Sequence, residues 1–358
     1  MAPLSSGGQI ALAFVGGFLA ALLVMGVVAF SFLRSSDAYG LGHWKLNAKM
    51  PLSTMWMNLG YWTNAKGEPI HDFEEACSTL LRNILDRAGL LNQPGNLKQP
   101  QQQRSSPSPR SLAVLDLGFG CGDQTFELVR LTRPDAGWDA FRYVGLTLSR
   151  VQIQAARRCV ARELLAEDAP DADSFQLFCA DAARPGTWDA QTKKAVESLA
   201  DERYAERWLL ALDCLYHFKP SRRPVFEYAA RRLKANSMAF DLVLNENASF
   251  GDKLRMRAVG VMMGCPIDTF LTEKEYLDQL VECGYDRESS TITDISEHVF
   301  SGVSGFIDSQ ERALSQYSVT LGGYKLAGRL FEWFGRSKVV KAVIVVARTR
   351  EDADLLSS

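Results

Sequence analysis

The residues most suited to chemistry in this chain begin with a glycine-rich turn in the segment 114–124, VLDLGFGCGDQ. The apolar run before the turn has the pattern of a buried strand, and Asp123 is placed to cap a following helix. Glycine allows a sharp turn and lets a ligand approach the backbone without a Cβ atom in between. The carboxylate of Asp116, just before the turn, suits a cationic or ammonium-bearing ligand. The turn itself contains Gly118, Gly120 and Gly122.

The spacing of these glycines, G-x-G-x-G, differs from that of two phosphate-binding loops. Dinucleotide-binding proteins have G-x-G-x-x-G, and a P-loop continues with Gly-Lys-Ser/Thr, which does not follow here. Two interpretations remain open. The turn is either a ligand-binding loop at the carboxyl end of a strand or a tight strand-to-helix connection that binds nothing.

A second group of reactive side chains follows the apolar run 207–212. Asp213, Tyr216 and His217 come directly after this predicted strand, so we expect them to face the same sheet edge as the glycines. His217 is the best candidate for a general base, because an unperturbed imidazole has a pKa of about 6.5. Tyr216 is the second catalytic candidate. The alternatives are a structural hydrogen bond for His217 and a role for Asp213 in holding the glycine loop.

Three further segments are candidates for contact with an apolar ligand or a membrane. The segment 55–62, MWMNLGYW, ends in Tyr61 and Trp62, whose flat rings suit either a pocket wall or the protein core. The segment 259–270 is rich in apolar residues and methionine, which adapts to irregular ligands. The apolar and basic stretch 324–341 fits either a membrane interface or a cap packed on a sheet.

Alternating patterns predict the elements that must position these groups. Strand-like runs lie at 112–117, 142–146, 175–179, 207–212, 238–244 and 339–347. Helical patterns lie at 72–90, 123–131, 149–166, 224–234 and 272–283. Strands that alternate with helices predict βαβ units and an α/β fold with a mostly parallel sheet.

The chain divides into four regions of different composition. Residues 10–33 carry no charge, and as a helix they would extend roughly 36 Å, enough to cross a hydrocarbon core of about 30 Å. A cleaved signal peptide is the alternative, but it would have a basic start and a shorter apolar stretch. We predict a transmembrane anchor at 10–33, an N-terminal lid and helical segment at 34–91, a flexible linker at 92–111 and the α/β domain at 112–350.

The charge balance and the cysteines restrict the class of protein. The 358 residues carry a formal net charge of -2, so we expect no nucleic-acid partner, which would favour a basic excess. The seven cysteines show neither a C-x-x-C pair nor zinc-finger spacing, which indicates free thiols in a reducing compartment and no metal site. Positive charges such as Arg34 and Lys45 follow the apolar segment and none precedes it. The positive-inside rule then predicts a single-pass membrane protein with a cytosolic domain, at the endoplasmic reticulum in a eukaryote.

The glycine-rich segment resembles motif I of the class I S-adenosylmethionine-dependent methyltransferases, and the resemblance continues in order along the chain. The stretch 143–158, YVGLTLSRVQIQAARR, looks like the second strand and helix of the small-molecule and lipid subgroup, which includes sterol, tocopherol and mycolic-acid-type methyltransferases. FCADAARPGTW at 178–188 looks like the third-strand segment. The fourth strand, the late helix and the final strand are matched at 209–237, 270–286 and 339–350. The resemblance implies a Rossmann-like, doubly wound, mostly parallel sheet of seven strands.

The resemblance also implies a role for each matching residue. The glycine loop would lie under the methionine part of S-adenosylmethionine, and Asp116 would face its ammonium group, directly or through water. Many family members end the second strand with an acid that binds the ribose, and this chain has hydroxyl and amide residues there. Ser149 fits equally the N-cap of the next helix. The residues implied for the ribose, the adenine and the rest of the cofactor are Thr147, Ser149, Gln152, Asp181, Ala182 and Asp213.

On the acceptor side, the resemblance implies methyl transfer to a small hydrophobic or lipid molecule, with Tyr61 and Trp62 in the segment that shapes its pocket. Tyr216 stands where related enzymes often have a glutamate, which argues against bicarbonate-assisted cyclopropane chemistry. We therefore expect a membrane-anchored S-adenosylmethionine-dependent methyltransferase (EC 2.1.1) with help from His217. Two alternatives remain: a catalytically inactive S-adenosylmethionine-binding scaffold of the same fold, and a nucleotide-dependent reductase.

Overall fold

A mixed sheet organises the residues that this computed structural model describes, which are 16–18, 20–27, 54–91, 111–132, 140–163, 174–315 and 319–350. Its strands are β1 (Ser111–Leu117), β2 (Ala140–Thr147), β3 (Phe175–Cys179), β4 (Glu206–Leu212), β5 (Asn236–Leu244), β6 (Thr291–Asp294) and β7 (Val340–Ala347). They pair in the order β3-β2-β1-β4-β5-β7-β6. The first five strands pair in parallel, and β7 runs antiparallel to both of its neighbours. The predicted Rossmann-like sheet of seven mostly parallel strands is confirmed.

Helices cover both faces of this sheet. They are α1 (Phe73–Arg87), α2 (Asp123–Thr132), α3 (Arg150–Glu163), α4 (Ala190–Glu197), α5 (Arg223–Tyr228), α6 (Phe250–Met262), α7 (Glu273–Cys283), α8 (Phe300–Ser315) and α9 (Gly323–Ser337). Helices α1, α2, α3, α8 and α9 belong to the hydrophobic core on one face. Helices α4, α5 and α7 belong to the core on the other face. Because successive side chains of a strand point to opposite faces, Val114 lies in the first core and Leu115 in the second.

The strand order reverses between β1 and β4. From β1 the chain continues to β2 and β3 on one side, and then crosses to β4 and β5 on the other side. Ligands of open α/β sheets bind at this switch point, beyond the carboxyl ends of the strands. The loops after β1 and β4 carry the glycines and the residues 213–217, so the topology brings the two reactive groups of the sequence to one place.

Local signals explain where several helices begin and end. Helix α1 begins after Asp72, whose side chain accepts a hydrogen bond from the N–H of Glu75 at 3.0 Å. Helix α7 begins with a capping box between Thr272 and Glu275, and it ends at Gly284 in a left-handed conformation. These helices correspond to the predicted helices 72–90 and 272–283.

Some elements were absent from the sequence prediction. Strand β6 has only four residues, too few to show a period. Helices α4, α6 and α8 were not predicted. Helix α9 falls in the stretch 324–341, and its Phe331 and Phe334 are buried against the core that α8 shares. This stretch therefore packs as a cap, which was one of its two predicted alternatives.

The apolar segment 10–33 is described only in part. Residues 16–18 and 20–27 are helical with exposed side chains, and the rest of the segment lies outside the described residues, as do 34–53 and the predicted linker up to residue 110. In the part of the chain that the structure describes, no helix is both long enough and apolar enough to cross a membrane. The transmembrane anchor therefore stays a prediction.

Candidate functional site

A cavity of about 660 Å³ opens beyond the carboxyl ends of β1 and β4. The loops after the first four strands form its floor and sides, and the segment 55–58 contributes to its wall. The predicted site residues that line it are Gly118, Gly120, Thr147, Ser149, Gln152, Asp181, Ala182, Asp213 and His217. The predicted site residues outside its lining are Tyr61, Trp62, Asp116, Gly122 and Tyr216.

The glycine loop presents its backbone to the cavity because its glycines adopt conformations that other residues rarely allow. The φ angles are +73° for Gly118, +66° for Gly120 and +105° for Gly122. Gly118 and Gly120 face the cavity, but Gly122 has another role. A Cβ atom on Gly122 would lie 2.9 Å from the Cα of Ala156, so this glycine allows α3 to pack closely against the loop. Its predicted contact with a cofactor is replaced by helix packing.

Asp116 lies beneath the loop and does not face the cavity. Its carboxylate accepts hydrogen bonds from Nε2 of Gln124 at 2.8 Å and from the hydroxyl of Tyr143 at 2.6 Å. The pKa of Asp116 is raised to about 7 by burial, and the hydrogen bonds from Tyr143 and Gln124 offset part of this rise. Gln124 itself lines the cavity. Asp116 therefore orients Gln124 and lies outside the cavity lining; its contact with an ammonium group, directly or through water, stays a prediction.

Gln124 was missed by the sequence analysis, although a signal was present. It lies in the first turn of the helix that follows the glycines, where side chains and N–H groups face a ligand at the helix N-terminus. The preceding Asp123 was predicted only as a helix cap. A polar residue directly after Asp123 is a candidate for ligand contact on this ground.

Three residues at the end of β2 form one hydrogen-bonded group in the cavity wall. The hydroxyl of Thr147 donates to Oε1 of Gln152 at 2.7 Å. The N–H of Gln152 donates to the hydroxyl of Ser149 at 3.3 Å, as at a helix N-cap. Ser149 thus takes the capping role that was its predicted alternative, and it also lines the cavity.

The turn after β3 places Asp181 and Ala182 at the adjoining wall. The N–H of Ala183 donates to Oδ1 of Asp181 at 2.9 Å, and the indole of Trp188 donates to the backbone carbonyl of Asp181 at 2.8 Å. The guanidinium of Arg184 lies 3.6 Å from Oδ2 of Asp181. These contacts hold the turn in one conformation and leave the Asp181 carboxylate at the cavity edge.

Asp213 has a left-handed backbone, with φ 63°, which is uncommon for a residue with a Cβ atom. The hydroxyl of Tyr216 donates to Oδ1 of Asp213 at 2.6 Å. The pKa of Asp213 is raised to about 7 by burial, and hydrogen bonds from Tyr216 and from the backbone of Leu59 offset part of this rise. Strained backbone of this kind concentrates at functional sites. Tyr216 is buried and acts on Asp213, so its predicted catalytic position in the cavity is not observed.

His217 lines the cavity beside Tyr216. Their ring centroids lie 4.4 Å apart, and Nδ1 of His217 lies 3.5 Å from Sγ of Cys265. Burial and, to a smaller extent, the nearby ammonium of Lys219 lower the pKa of His217 to about 4. The imidazole is therefore neutral near pH 7 and can accept a proton or a hydrogen bond, although it is a weaker base than free histidine.

The cover over the glycine loop comes from two methionines. The N–H of Met55 donates to Oδ2 of Asp123 at 3.2 Å. Sδ of Met57 lies 3.4 Å from the position of a Cβ on Gly120, and it accepts a hydrogen bond from Gln152 at 3.3 Å. Met55 and Met57 are two residues apart in an extended segment, so their side chains lie on the same side of the chain. This spacing was the sequence signal for the cover.

Tyr61 and Trp62 belong to the core and not to the pocket. Trp62 packs on Phe306 with ring centroids 5.2 Å apart, and a Cβ atom on Gly302 would lie 2.1 Å from its indole. Tyr61 stacks on His298 with ring centroids 4.5 Å apart. Their predicted role in the acceptor pocket is not observed, because the rings fill the space between α1 and α8. The core alternative is the observed one.

A buried ion pair supports the wall around His217. Arg222, whose side chain is 2% exposed, pairs with Asp241 on β5 and donates to the carbonyl of Thr269. The hydroxyl of Thr269 donates to the carbonyl of Tyr216 at 2.9 Å, and Tyr216 in turn holds Asp213. A continuous set of hydrogen bonds thus joins the β4–α5 loop to the segment after α6. This set of hydrogen bonds was not predicted from the sequence.

The lining fits the groups of S-adenosylmethionine. The backbone of Gly118 and Gly120 lies in the cavity lining, and polar side chains at the ends of β2 and β3 suit a ribose and an adenine edge. Phe119 and Leu146 add apolar surface. Among the described residues, no cluster of His, Cys, Asp and Glu side chains has the arrangement of a metal site.

No family model matches the sequence, and no curated protein matches it. Solved structures do match its fold. The mycolic acid cyclopropane synthase CmaA1, complexed with SAH and CTAB, aligns with a TM-score of 0.57 at 14% identity over 89% of this chain and 98% of that chain. A geranyl diphosphate methyltransferase in complex with GPP and sinefungin aligns with a TM-score of 0.52 at 14% identity over 90% of this chain and 98% of that chain. The 4+2 cyclase SpnF aligns with a TM-score of 0.54 at 14% identity over 88% and 95%. The chain therefore has the fold that these synthase, methyltransferase and cyclase structures share.

Proposed function

We propose that this chain is a membrane-anchored S-adenosylmethionine-dependent methyltransferase that acts on a small hydrophobic or lipid acceptor. One observation carries the proposal. A single cavity at the switch point of the sheet joins the bare backbone of Gly118 and Gly120 to the neutral imidazole of His217. Two of the structures that share the fold hold SAH or sinefungin, ligands that such a cavity suits.

The chain's own residues divide into a cofactor half and an acceptor half. In the cofactor half, the glycine loop would hold the amino-acid end, while Thr147 and Gln152 would hold the ribose and Asp181 the adenine edge. The bound cofactor supplies an electrophilic methyl group on a sulfonium. Gln124, fixed by the buried Asp116, adds a polar amide next to the glycine loop.

In the acceptor half, His217 and apolar side chains hold and orient the acceptor. Phe218 and Met263 give this side of the cavity an apolar surface that excludes water. Alignment of a nucleophile in such a site supplies much of the lowering of a transfer barrier. His217 is neutral, so it can accept a hydrogen bond from the acceptor and take its proton.

A catalytically inactive scaffold that binds S-adenosylmethionine is the second candidate. The low proton affinity of His217 favours it, because a base with a pKa of about 4 removes protons weakly at neutral pH. The carboxylate of Asp213 is also engaged, by Tyr216 and by the backbone of Leu59. Both candidates predict cofactor binding, and only the first predicts methyl transfer.

The membrane anchor is the third part of the proposal. Residues 10–33 form an uncharged apolar run, and the described residues 16–18 and 20–27 are helical with exposed side chains such as Phe18 and Leu23. An apolar helix with this surface exposed suits a bilayer core. Positive charges after the run support a cytosolic position of the α/β domain, at the endoplasmic reticulum in a eukaryote.

Calorimetry on the full chain in detergent micelles tests the cofactor site. We expect binding of S-adenosylmethionine and of S-adenosylhomocysteine, and no binding of NADH or NADPH, which a reductase would bind. A methyl-release assay with a lipid extract then separates enzyme from scaffold. Mass spectrometry of the extract should show a product heavier by one methylene unit. Cofactor binding without any such product would favour the scaffold, and binding of NADPH alone would overturn both.

A further inference from the structure

Helix α6 carries large apolar side chains on its exposed face. Phe250 is 82% exposed, Leu254 59%, Val261 41% and Met262 40%, and Ile267 in the loop after the helix is 60% exposed. Large exposed apolar side chains that lie together mark interaction sites more often than scattered ones do. We refer to these five residues as the α6 face.

The α6 face follows from the helical period. At 3.6 residues per turn, Phe250, Leu254 and Val261 fall within about 40° of one another around the helix. The opposite side of the helix is fixed by packing, because Met256 is buried and a Cβ atom on Gly260 would lie 2.9 Å from the ring of Phe270. The helix cannot rotate to hide its apolar residues without losing this contact.

Basic side chains accompany the apolar ones. Lys253, Arg255 and Arg257 lie on the same helix, and both arginines are exposed. Arg255 has Asp252 at 3.6 Å and Arg257 has Asp268 at 3.6 Å. Exposed pairs of this kind contribute little, so the guanidinium groups can exchange these partners for other anions.

The α6 face adjoins the cavity and the connection to the apolar segment. Met263 and Gly264, directly after the helix, line the cavity, and so does Met55 near the start of the described domain. Residues 34–53 connect the segment 10–33 to this domain and can span at most roughly 70 Å even when fully extended. An anchor at 10–33 would therefore hold the domain within this distance of the membrane.

We infer that the α6 face docks on the surface of an anionic lipid bilayer. Exposed apolar side chains with Lys and Arg on the same helix suit a membrane interface, in which the apolar residues enter the head-group region and the cations meet lipid phosphates. Docking there places the cavity wall at Met263 next to the bilayer. A lipid acceptor then passes from the bilayer to the cavity beside α6, a route that rests on the proposed function.

Site-specific photocrosslinking of the full chain in lipid nanodiscs tests this inference. A benzophenone amino acid replaces Phe250 or Leu254, and in a matched control it replaces Gln191, an exposed residue of α4 on the other face of the sheet. In discs that contain phosphatidylglycerol, we expect lipid adducts in severalfold excess at positions 250 and 254. Equal yields at position 191, or adducts to a second copy of the chain at position 250, would overturn the inference.

A second experiment tests whether the docking requires anionic lipid. The double substitution Arg255→Gln/Arg257→Gln should lower the adduct yield at position 250 severalfold on phosphatidylglycerol discs, and should change it little on phosphatidylcholine discs. Equal yields on the two lipids in the unsubstituted chain would contradict docking on anionic lipid. Calorimetry with S-adenosylmethionine on the same samples separates the two proposals: cofactor binding without adducts overturns the docking, and adducts without cofactor binding overturn the proposed function.

Discussion

At the scale of single residues, the cavity depends on side chains that are absent as much as on those present. Gly120 combines a φ of +66° with a position in the cavity lining. A branched side chain there would fill space above the loop and would also force the backbone into a conformation that costs about 1–2 kcal/mol. Gly67 has a similar φ of +82° and open space around it, outside the cavity lining. Gly120 and Gly67 therefore have similar backbone conformations, but only Gly120 borders the cavity.

We predict that Gly120→Val removes measurable binding of S-adenosylmethionine and leaves a folded protein. The new side chain would extend from a Cβ position only 3.4 Å from Sδ of Met57, so it would displace this methionine or the loop backbone, both of which line the cavity. Calorimetry measures the binding, and circular dichroism checks the fold. Gly67→Val is the matched control, because it adds similar backbone strain and should retain binding. Unchanged affinity in Gly120→Val would show that the loop does not hold the cofactor.

His217 is the other residue whose role can be measured directly. Its pKa of about 4 keeps the imidazole neutral over the physiological range. A group that must be neutral to accept a proton becomes inactive only when the pH falls through its pKa. The usual inflection of histidine-dependent activity near pH 6.5 should therefore be missing.

We predict that His217→Ala lowers the methyl-transfer rate on the order of a hundredfold and changes cofactor affinity little. The titration of His217 should add no inflection to the turnover above about pH 5, since the pKa of His217 is about 4. Single-turnover assays across pH measure both effects. His298→Ala is a control, because His298 stacks on Tyr61 outside the cavity lining. Equal turnover in His217→Ala and the unsubstituted protein would assign His217 to structure.

At the scale of elements, the buried pair of Arg222 and Asp241 joins the β4–α5 loop to β5. The hydroxyl of Tyr276 on α7 donates to the same carboxylate at 3.0 Å, so three elements converge on Asp241. A buried ion pair gains little over an apolar replacement of both partners, but removal of one partner leaves a charge without compensation. The pair therefore positions the loop that carries Asp213 and His217, and the loss of either partner would destabilise the fold.

We predict that Arg222→Met lowers the free energy of unfolding by about 3–5 kcal/mol. The double substitution Arg222→Met/Asp241→Asn should recover much of this loss, because no buried charge stays unpaired. Urea denaturation measures both. Arg223→Met is the matched control, since Arg223 pairs with Glu282 at the exposed surface and should cost about 1 kcal/mol or less. Equal losses for the two arginines would contradict a special role of the buried pair.

At the scale of the whole molecule, the buried carboxylate of Asp116 couples folding to pH. The pKa of Asp116 rises from 3.8 to about 7 in the folded protein. The folded state therefore binds a proton more tightly than the unfolded state does. This contribution to stability is fully present below about pH 4 and is lost as the pH rises through about 7.

We predict that the stability of the unsubstituted protein relative to Asp116→Asn falls between pH 4 and pH 8, by on the order of 4 kcal/mol for a shift of about three pKa units. Asparagine cannot ionise, so the difference between the two proteins isolates the titration of Asp116. Chemical denaturation of both proteins at each pH measures it. A difference that does not change with pH would mean that Asp116 keeps an ordinary pKa in the fold.

The order of the elements and the location of the glycine loop were predictable because they depend on local patterns. The continuous apolar run of β1 reflects burial on both faces, and the glycines interrupt it where the chain must turn. The assignment of Tyr61 and Trp62 failed for the opposite reason. Whether a ring lies in a pocket or in the core depends on the space that α8 leaves beside Gly302, which is distant in sequence.

The sequence by itself determined most of the strands and helices and the glycine loop after β1, since the periods and turn residues that specify them lie within a few residues of each other. Only the tertiary structure decided which side chains face the cavity. Asp116 points to Tyr143 and Gln124, and Met57 lies over Gly120. These contacts join elements that meet only when the helices and the N-terminal segment pack on the sheet. Burial decides these orientations, because a polar group in the interior must find its hydrogen-bond partner wherever the packed elements place one.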